Sequence, residues 1–261
     1  MDDFTWLALE ARVTDTASFF DAMFTPFAQG TIRPLSERLF FMSFYRMFGL
    51  DALPFRAVAF ATQFANLILL TALTRRVTGS SLAGLLAPLL WIVNANLYMP
   101  MSWTSAYNQI LCAFCLLLST YLYVRFTESG DKRFYVWQWV VFVLGFGVLE
   151  LNVVYPAIAA LYALCCARRY FIHTLPMFAV SIAYFVAHRT IAPQPHTGLY
   201  AMSLEPGALL STLVIYIRSA LGAEYFAGKQ SLPLQYFAGA VLGTALLLLG
   251  FLIWRLFRHD S

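Results

Sequence analysis

The chain has 261 residues, of which 61% are hydrophobic, 17% aromatic and only 11% charged, and the mean hydropathy is +0.70. Soluble domains average about 25% charged residues, so this composition excludes an ordinary water-soluble globule, a disordered tail and a disulfide-built secreted domain. The net charge of +4 does not point to nucleic acid, because the basic residues are scattered in pairs between apolar runs and not massed on one face.

The expected fold class is therefore all-α: a polytopic membrane protein of about seven transmembrane helices, preceded by an amphipathic helical outer segment. Charges punctuate the apolar runs, so the elements can be read in chain order. Residues 1–54 form the amphipathic segment. Within it, Ser36 opens an expected helix behind Pro34, and Phe40, Phe41, Phe44, Tyr45 and Phe48 suit a helix lying in the membrane interface. The first span runs near 55–74, between Arg56 and the pair Arg75-Arg76. The next uncharged run, 77–124, is broken by Asn94, Asn96, Pro100, Ser102 and Thr104, which implies two spans (81–97 and 106–124) joined by a short loop. Further spans are expected near 134–149, 151–167 and 170–188, giving six across residues 55–188. Residues 189–234 read as a long outer loop containing an interfacial or re-entrant helix at 207–222. Residues 235–261 read as the last span, near 235–254, and a short tail. Two-residue alternation is absent, so a β-barrel is not expected.

Orientation follows from the basic residues flanking short loops. Arg75, Arg76, Arg125, Lys132, Arg133, Arg168, Arg169, Arg255 and Arg258 share one set of ends, which is therefore cytoplasmic, as is the C-terminus. The loops near 98–105 and 150–152 carry no basic residue and lie outside. Cys112 and Cys115 show a C-x-x-C spacing, but no His or second Cys pair flanks them. With Cys165 and Cys166 they read as small apolar residues of membrane helices.

The outer side collects the residues able to do chemistry. Asp2 and Asp3 stand together before an amphipathic stretch, as a general base would at a membrane surface, or as a solvated helix start. Arg33, Arg38 and Arg46 can face anionic headgroups or a phosphate ligand. Trp103 suits either an aromatic belt or stacking on a sugar ring. Glu150, between two short helices, is either a functional acid or an interfacial cap. His188 and Arg189 end an outward-going helix, where they can neutralise a phosphate or snorkel to the interface.

These pieces, in this order, resemble the GT-C membrane glycosyltransferases, in the branch around the protein O-mannosyltransferases and related bacterial enzymes. Asp2-Asp3-Phe4 is similar to the D-D-F motif opening that family's first outer loop, and Arg33-Pro34-Leu35-Ser36 to its R-P-L-[ST] motif. Phe48-Gly49-Leu50, Phe55-Arg56 and Asn66 resemble its F-G-L…[FY]-H…N pattern. Arg75-Arg76-Val77-Thr78-Gly79-Ser80 resembles its R-R-x-T-G-S turn. Trp103, Glu150 with Pro156, and Arg189 match further family positions. The resemblance covers roughly residues 1–225. Arg56 stands where the family has His, Leu149 where it has Lys, and Tyr107-Asn108 where it has a more polar pair. The family also carries a helix ahead of the D-D-F motif, so an upstream helix beyond these 261 residues is expected.

The resemblance implies transfer of a sugar, with inversion, from a polyprenyl-phosphate carrier to a glycan, lipid or protein acceptor at the outer face of a bacterial inner membrane. It implies Asp2 or Asp3 as the base that takes the acceptor's proton. It implies Arg33, Arg38 and Arg189, with Trp103, Glu150 and His188, as the residues that bind donor and acceptor. A divalent cation can share the phosphate charge, although the sequence shows no dedicated ligand cluster. No nucleotide-binding loop is expected, and none of the usual Gly-rich patterns stands in the sequence. The alternatives are a transporter or flippase for a lipid-linked saccharide, which would carry polar residues deep in its spans, and a non-catalytic scaffold subunit.

Overall fold

The computed structural model describes residues 2–26, 31–191 and 205–220, together with Gly250 and Trp254. Apart from those two positions, the expected span near 235–254 lies outside the described residues. So do most of the stretch 189–234 and the tail.

Among the described residues the regular elements are all helical. They are α1 (Asp2–Leu7), α2 (Thr16–Phe24), α3 (Phe40–Phe48), α4 (Ala52–Thr78), α5 (Ser81–Ile92), α6 (Tyr98–Ser102), α7 (Tyr107–Ser129), α8 (Lys132–Gly145), α9 (Tyr155–Cys166), α10 (Leu175–Ile191) and α11 (Pro206–Ala220), joined by short tight turns. Three stretches are long and apolar enough to cross a membrane: Ala52–Thr78, Thr104–Ser129 and Arg168–Ile191. At 1.5 Å per residue, α4 is about 40 Å long, more than the roughly 30 Å hydrocarbon core of a bilayer. The protein is thus an all-α membrane protein with at least these three spanning candidates.

The ends of these helices are written in the sequence. The Asp51 carboxylate accepts from the Leu53 N–H at 3.0 Å and caps α4. Gly79 closes it at φ 66°, a left-handed conformation suited to glycine, and Arg75 and Arg76 occupy its last turn, where cations meet the helix dipole favourably. Asp15 caps α2 through the Ser18 N–H at 2.7 Å, and Ser18 reciprocates. The Ser18 backbone and hydroxyl donors hold the Asp15 carboxyl below its ordinary range. Because the folded pKa is depressed, this cap stabilises α2 above the ordinary carboxylate pKa and is lost as pH falls through the folded value. Acid titration followed at the Ser18 amide by NMR should show α2 opening at its N-terminus first.

Two aromatic cores hold the bundle. In the first, Trp6, Leu9, Phe40, Phe41, Phe55, Tyr107 and Ile110 join α1, α3, α4 and α7. Phe40 and Phe41 are buried here, not laid in the interface, because the Phe40 ring packs at a tilt with its centroid 4.4 Å from that of Tyr107 and lies edge-on to Phe55. The outer face of α3 does carry exposed apolar groups, Met47 and Phe48. In the second core, Tyr123, Phe126, Phe142, Phe146, Tyr155 and Met177 join α7, α8, α9 and α10. Cys112 and Cys115 are free thiols, buried beside Val148.

α8 stops sooner than its apolar run suggests. Asn152, fully buried, sits where a Cβ on Gly145 would be and donates to the Phe142 carbonyl at 2.7 Å, taking the place of the next helical N–H. A Cβ at Gly145 would meet Asn152 Oδ1 at 2.4 Å. Gly145→Ala should therefore cost about 2–3 kcal/mol, by overpacking and by displacing this bond. A detergent-solubilised melting curve would check it, and the same change at Gly207, which faces open space, is the control.

Candidate functional site

The turn after α8 receives the segment that precedes α3. The Leu35 N–H donates to the Gly147 carbonyl at 2.9 Å, and the Ser36 hydroxyl to the Val148 carbonyl at 2.6 Å. Leu35 lies so close to Gly147 that a Cβ there would meet its Cγ at 2.9 Å. Pro34 opens the wide helical turn Pro34–Leu39, where its missing N–H costs nothing. Arg33 and Glu37, four residues apart, then face the same way, toward Glu150 and the start of α7.

The result is a charged cluster gathered from four parts of the chain. Arg33 Nε donates to both Glu150 oxygens at 3.0 and 2.9 Å, and Nη2 lies 2.9 Å from Oε2. Arg33 Nη1 donates to Glu37 Oε1 at 2.5 Å, and Asn108 Nδ2 donates to the same oxygen at 2.8 Å. His188 Nε2, near the end of α10, stands 3.7 Å from Glu150 Oε1. Burial disfavours the Arg33 charge, but Glu150 and Glu37 more than offset that and hold the guanidinium pKa above its ordinary value.

The cluster is not internally complete. It sets the Glu37 and Glu150 carboxyl groups around Arg33, with the charge of Arg38 also reaching Glu37. Glu37 Oε2, Asn108 Oδ1, Tyr184 Oη and His188 Nε2 are buried without a hydrogen-bond partner among the described residues. Tyr184 stacks on Phe146 with centroids 4.3 Å apart and carries His188 above it at 5.7 Å. Glu150, about a quarter exposed, is the carboxylate an incoming group can reach, whereas Glu37 is nearly sealed. This arrangement can accept a proton or hold a hydroxyl at Glu150, and can orient it through Arg33. To take a phosphate, Arg33 would have to release Glu150.

The sequence-derived candidates are distributed as follows. Arg33, Glu150 and His188 are brought together. Arg189 follows His188 and places its guanidinium 5.7 Å over the Phe185 ring. Arg38 is fully buried, with Nη1 donating to the Ala22 carbonyl and Nη2 to the Thr31 carbonyl at 2.8 and 2.9 Å. Burial pushes its pKa down. It therefore ties α2 to the segment before α3 instead of facing a headgroup. Trp103 is exposed in the loop ahead of α7. Asp2 and Asp3 open α1, which docks through Trp6 and Leu9, and their side chains lie outside the described residues.

Glu37 and Tyr184 were not singled out by their sequence context. The R-x-x-x-E spacing from Arg33 is the signal that points to Glu37, since i,i+4 places both on one face. Nothing local marks Tyr184. Among the described residues no three His, Cys, Asp or Glu side chains converge as metal ligands. The chain matches no protein-family model, no curated protein and no solved structure.

Proposed function

We propose that this protein is a GT-C type membrane glycosyltransferase that passes a sugar, with inversion, from a polyprenyl-phosphate donor to an acceptor at the outer face of a bacterial inner membrane. The observation that carries the reading is the Arg33–Glu37–Glu150–His188 cluster. It joins the first outer segment to the starts and ends of α7, α8 and α10 at one end of the bundle. Arg125 and Arg169 lie toward the other ends of α7 and α10, and on the charge rule that end is cytoplasmic. The cluster then faces outward, as the family resemblance implies, within a topology of about seven spans.

Two further features support it. A cavity of about 280 Å³ lies between α1, α3 and α4, lined by Phe4, Leu7, Phe41, Leu50 and Phe55, and suits an isoprenoid segment of the donor. Asp2 and Asp3 stand at the head of the same α1. In this reading one of them takes the acceptor hydroxyl's proton as the glycosidic bond forms. The bond to the lipid phosphate breaks, and cationic donors at the outer rim stabilise the departing phosphate. Glu150→Gln, which keeps the shape of the cluster while removing one charge, should lower sugar transfer on the order of 10²-fold with little change in melting temperature. Transfer at the wild-type rate would show that the cluster only holds the fold.

A flippase for a lipid-linked saccharide is the second reading. It is favoured by Gln63 and Asn66, buried polar side chains within the spanning helix α4. Movement of a lipid-linked sugar across vesicles without any new glycosidic bond would select it.

A further inference from the structure

A second cavity, of about 220 Å³, opens on the adjoining face of α7's first turns, between α4, the end of α5 and the loop that follows it. Its wall carries four carboxamides and one indole, from Gln63, Asn94, Asn96, Gln109 and Trp91, and is completed by the apolar residues Leu97, Pro100, Ile110 and Ala113. None of the residues lining it is charged. Gln63 is only 5% exposed. Its Oε1 accepts from Asn66 Nδ2 at 3.2 Å, and Asn66 is itself pinned to the Ile110 carbonyl at 3.0 Å. The Gln63 Nε2 group has no hydrogen-bond partner among the described residues. A buried amide donor left unpaired is costly, and a polar guest in the cavity would satisfy it.

We infer that this cavity binds one neutral pyranose ring, and that the acceptor of the proposed transfer is accordingly a glycan; this assignment of the acceptor rests on the glycosyltransferase reading. Gln63 brings its unpaired Nε2 donor and Gln109 an exposed carboxamide with a donor and an acceptor side by side, the pattern that adjacent ring hydroxyls satisfy. Trp91 supplies an apolar ring on which the C–H face of a sugar can lie. The volume suits a single ring. The donor's sugar is a poorer fit, because its phosphate would follow within one bond and meet a lining with no cation.

The test uses the full chain in lipid nanodiscs and saturation-transfer NMR with methyl glucoside, methyl mannoside and methyl galactoside as probes. At least one should receive saturation, and Trp91→Ala and Gln63→Leu should each reduce it at least fivefold. Gln109→Ala removes a side chain that is exposed on its helix and so leaves the buried core intact; it should weaken the signal too. No transfer to any pyranoside, or transfer unchanged in both Trp91→Ala and Gln109→Ala, would overturn the site and leave a cavity holding water or lipid. Sugar binding here without any glycosyl transfer would sink the glycosyltransferase reading and keep the binding site. Glycosyl transfer that ignores all three substitutions would do the reverse.

Discussion

Arg33→Ala is expected to destabilise the protein by about 2–3 kcal/mol and to abolish its activity. The guanidinium bridges Glu37 and Glu150 and is the cation that both carboxyl groups share. Removing one partner of a buried ion pair typically costs about 3–5 kcal/mol, because the remaining charge is stranded. The lower figure applies here because Glu150 is partly exposed and can be hydrated. Glu37 cannot, so a second change, Glu37→Gln, should return part of the loss. The two substitutions should show a coupling of about 1 kcal/mol or more in a double-mutant cycle. Arg33→Lys should fall between, since one ammonium cannot span both carboxylates as the planar fork does. Additive melting shifts in the cycle would mean that the cluster does not hold the outer segment on the bundle.

The second large effect follows from the proposed sugar transfer. Asp2→Asn or Asp3→Asn should lower sugar transfer by 10²–10⁴-fold, the usual contribution of a positioned general base, with melting temperature unchanged. The residue that is not the base should show a much smaller loss. α1 and the turn after it are held by Trp6 and Leu9, which both variants keep, so the melting temperature separates a loss of activity from a loss of fold. Full activity in both single variants and in the double variant would remove Asp2 and Asp3 from the chemistry. Glu150, the reachable carboxylate of the cluster, would then be the remaining candidate base.

The helical class was legible because charge and apolar length set it directly. α4 shows this best, with Asp51 at its start, Arg75 and Arg76 at its end, and Gly79 beyond. The break in the 77–124 run was legible for the same reason, as the polar group Asn94 and Asn96 with Pro100 interrupts the apolar run just past the end of α5. The short α8 was not, because its end is set by a side chain seven positions on, Asn152, reaching back into the helix. Arg38 was misplaced for a related reason. A lone arginine among aromatics looks like a surface cation until the two backbone carbonyls that receive it are seen. Of the candidate site, Arg33, Glu150 and His188 were each legible as candidate residues, on the side that the charge rule assigns as outer. That they form a single cluster with Glu37 was not, because Arg33 and Glu150 are 117 residues apart and only the docking of Leu35 and Ser36 onto the 147–148 turn joins them.

The most direct measurement reconstitutes the full chain in liposomes with a polyprenyl-phosphate-linked sugar inside and an oligosaccharide acceptor on both sides, and follows glycosidic bond formation and anomeric configuration. The account predicts a new bond of inverted configuration, dependent on Asp2 or Asp3 and weakened by Glu150→Gln. Carrier movement across the bilayer with no bond formed, or a product of retained configuration, would contradict it.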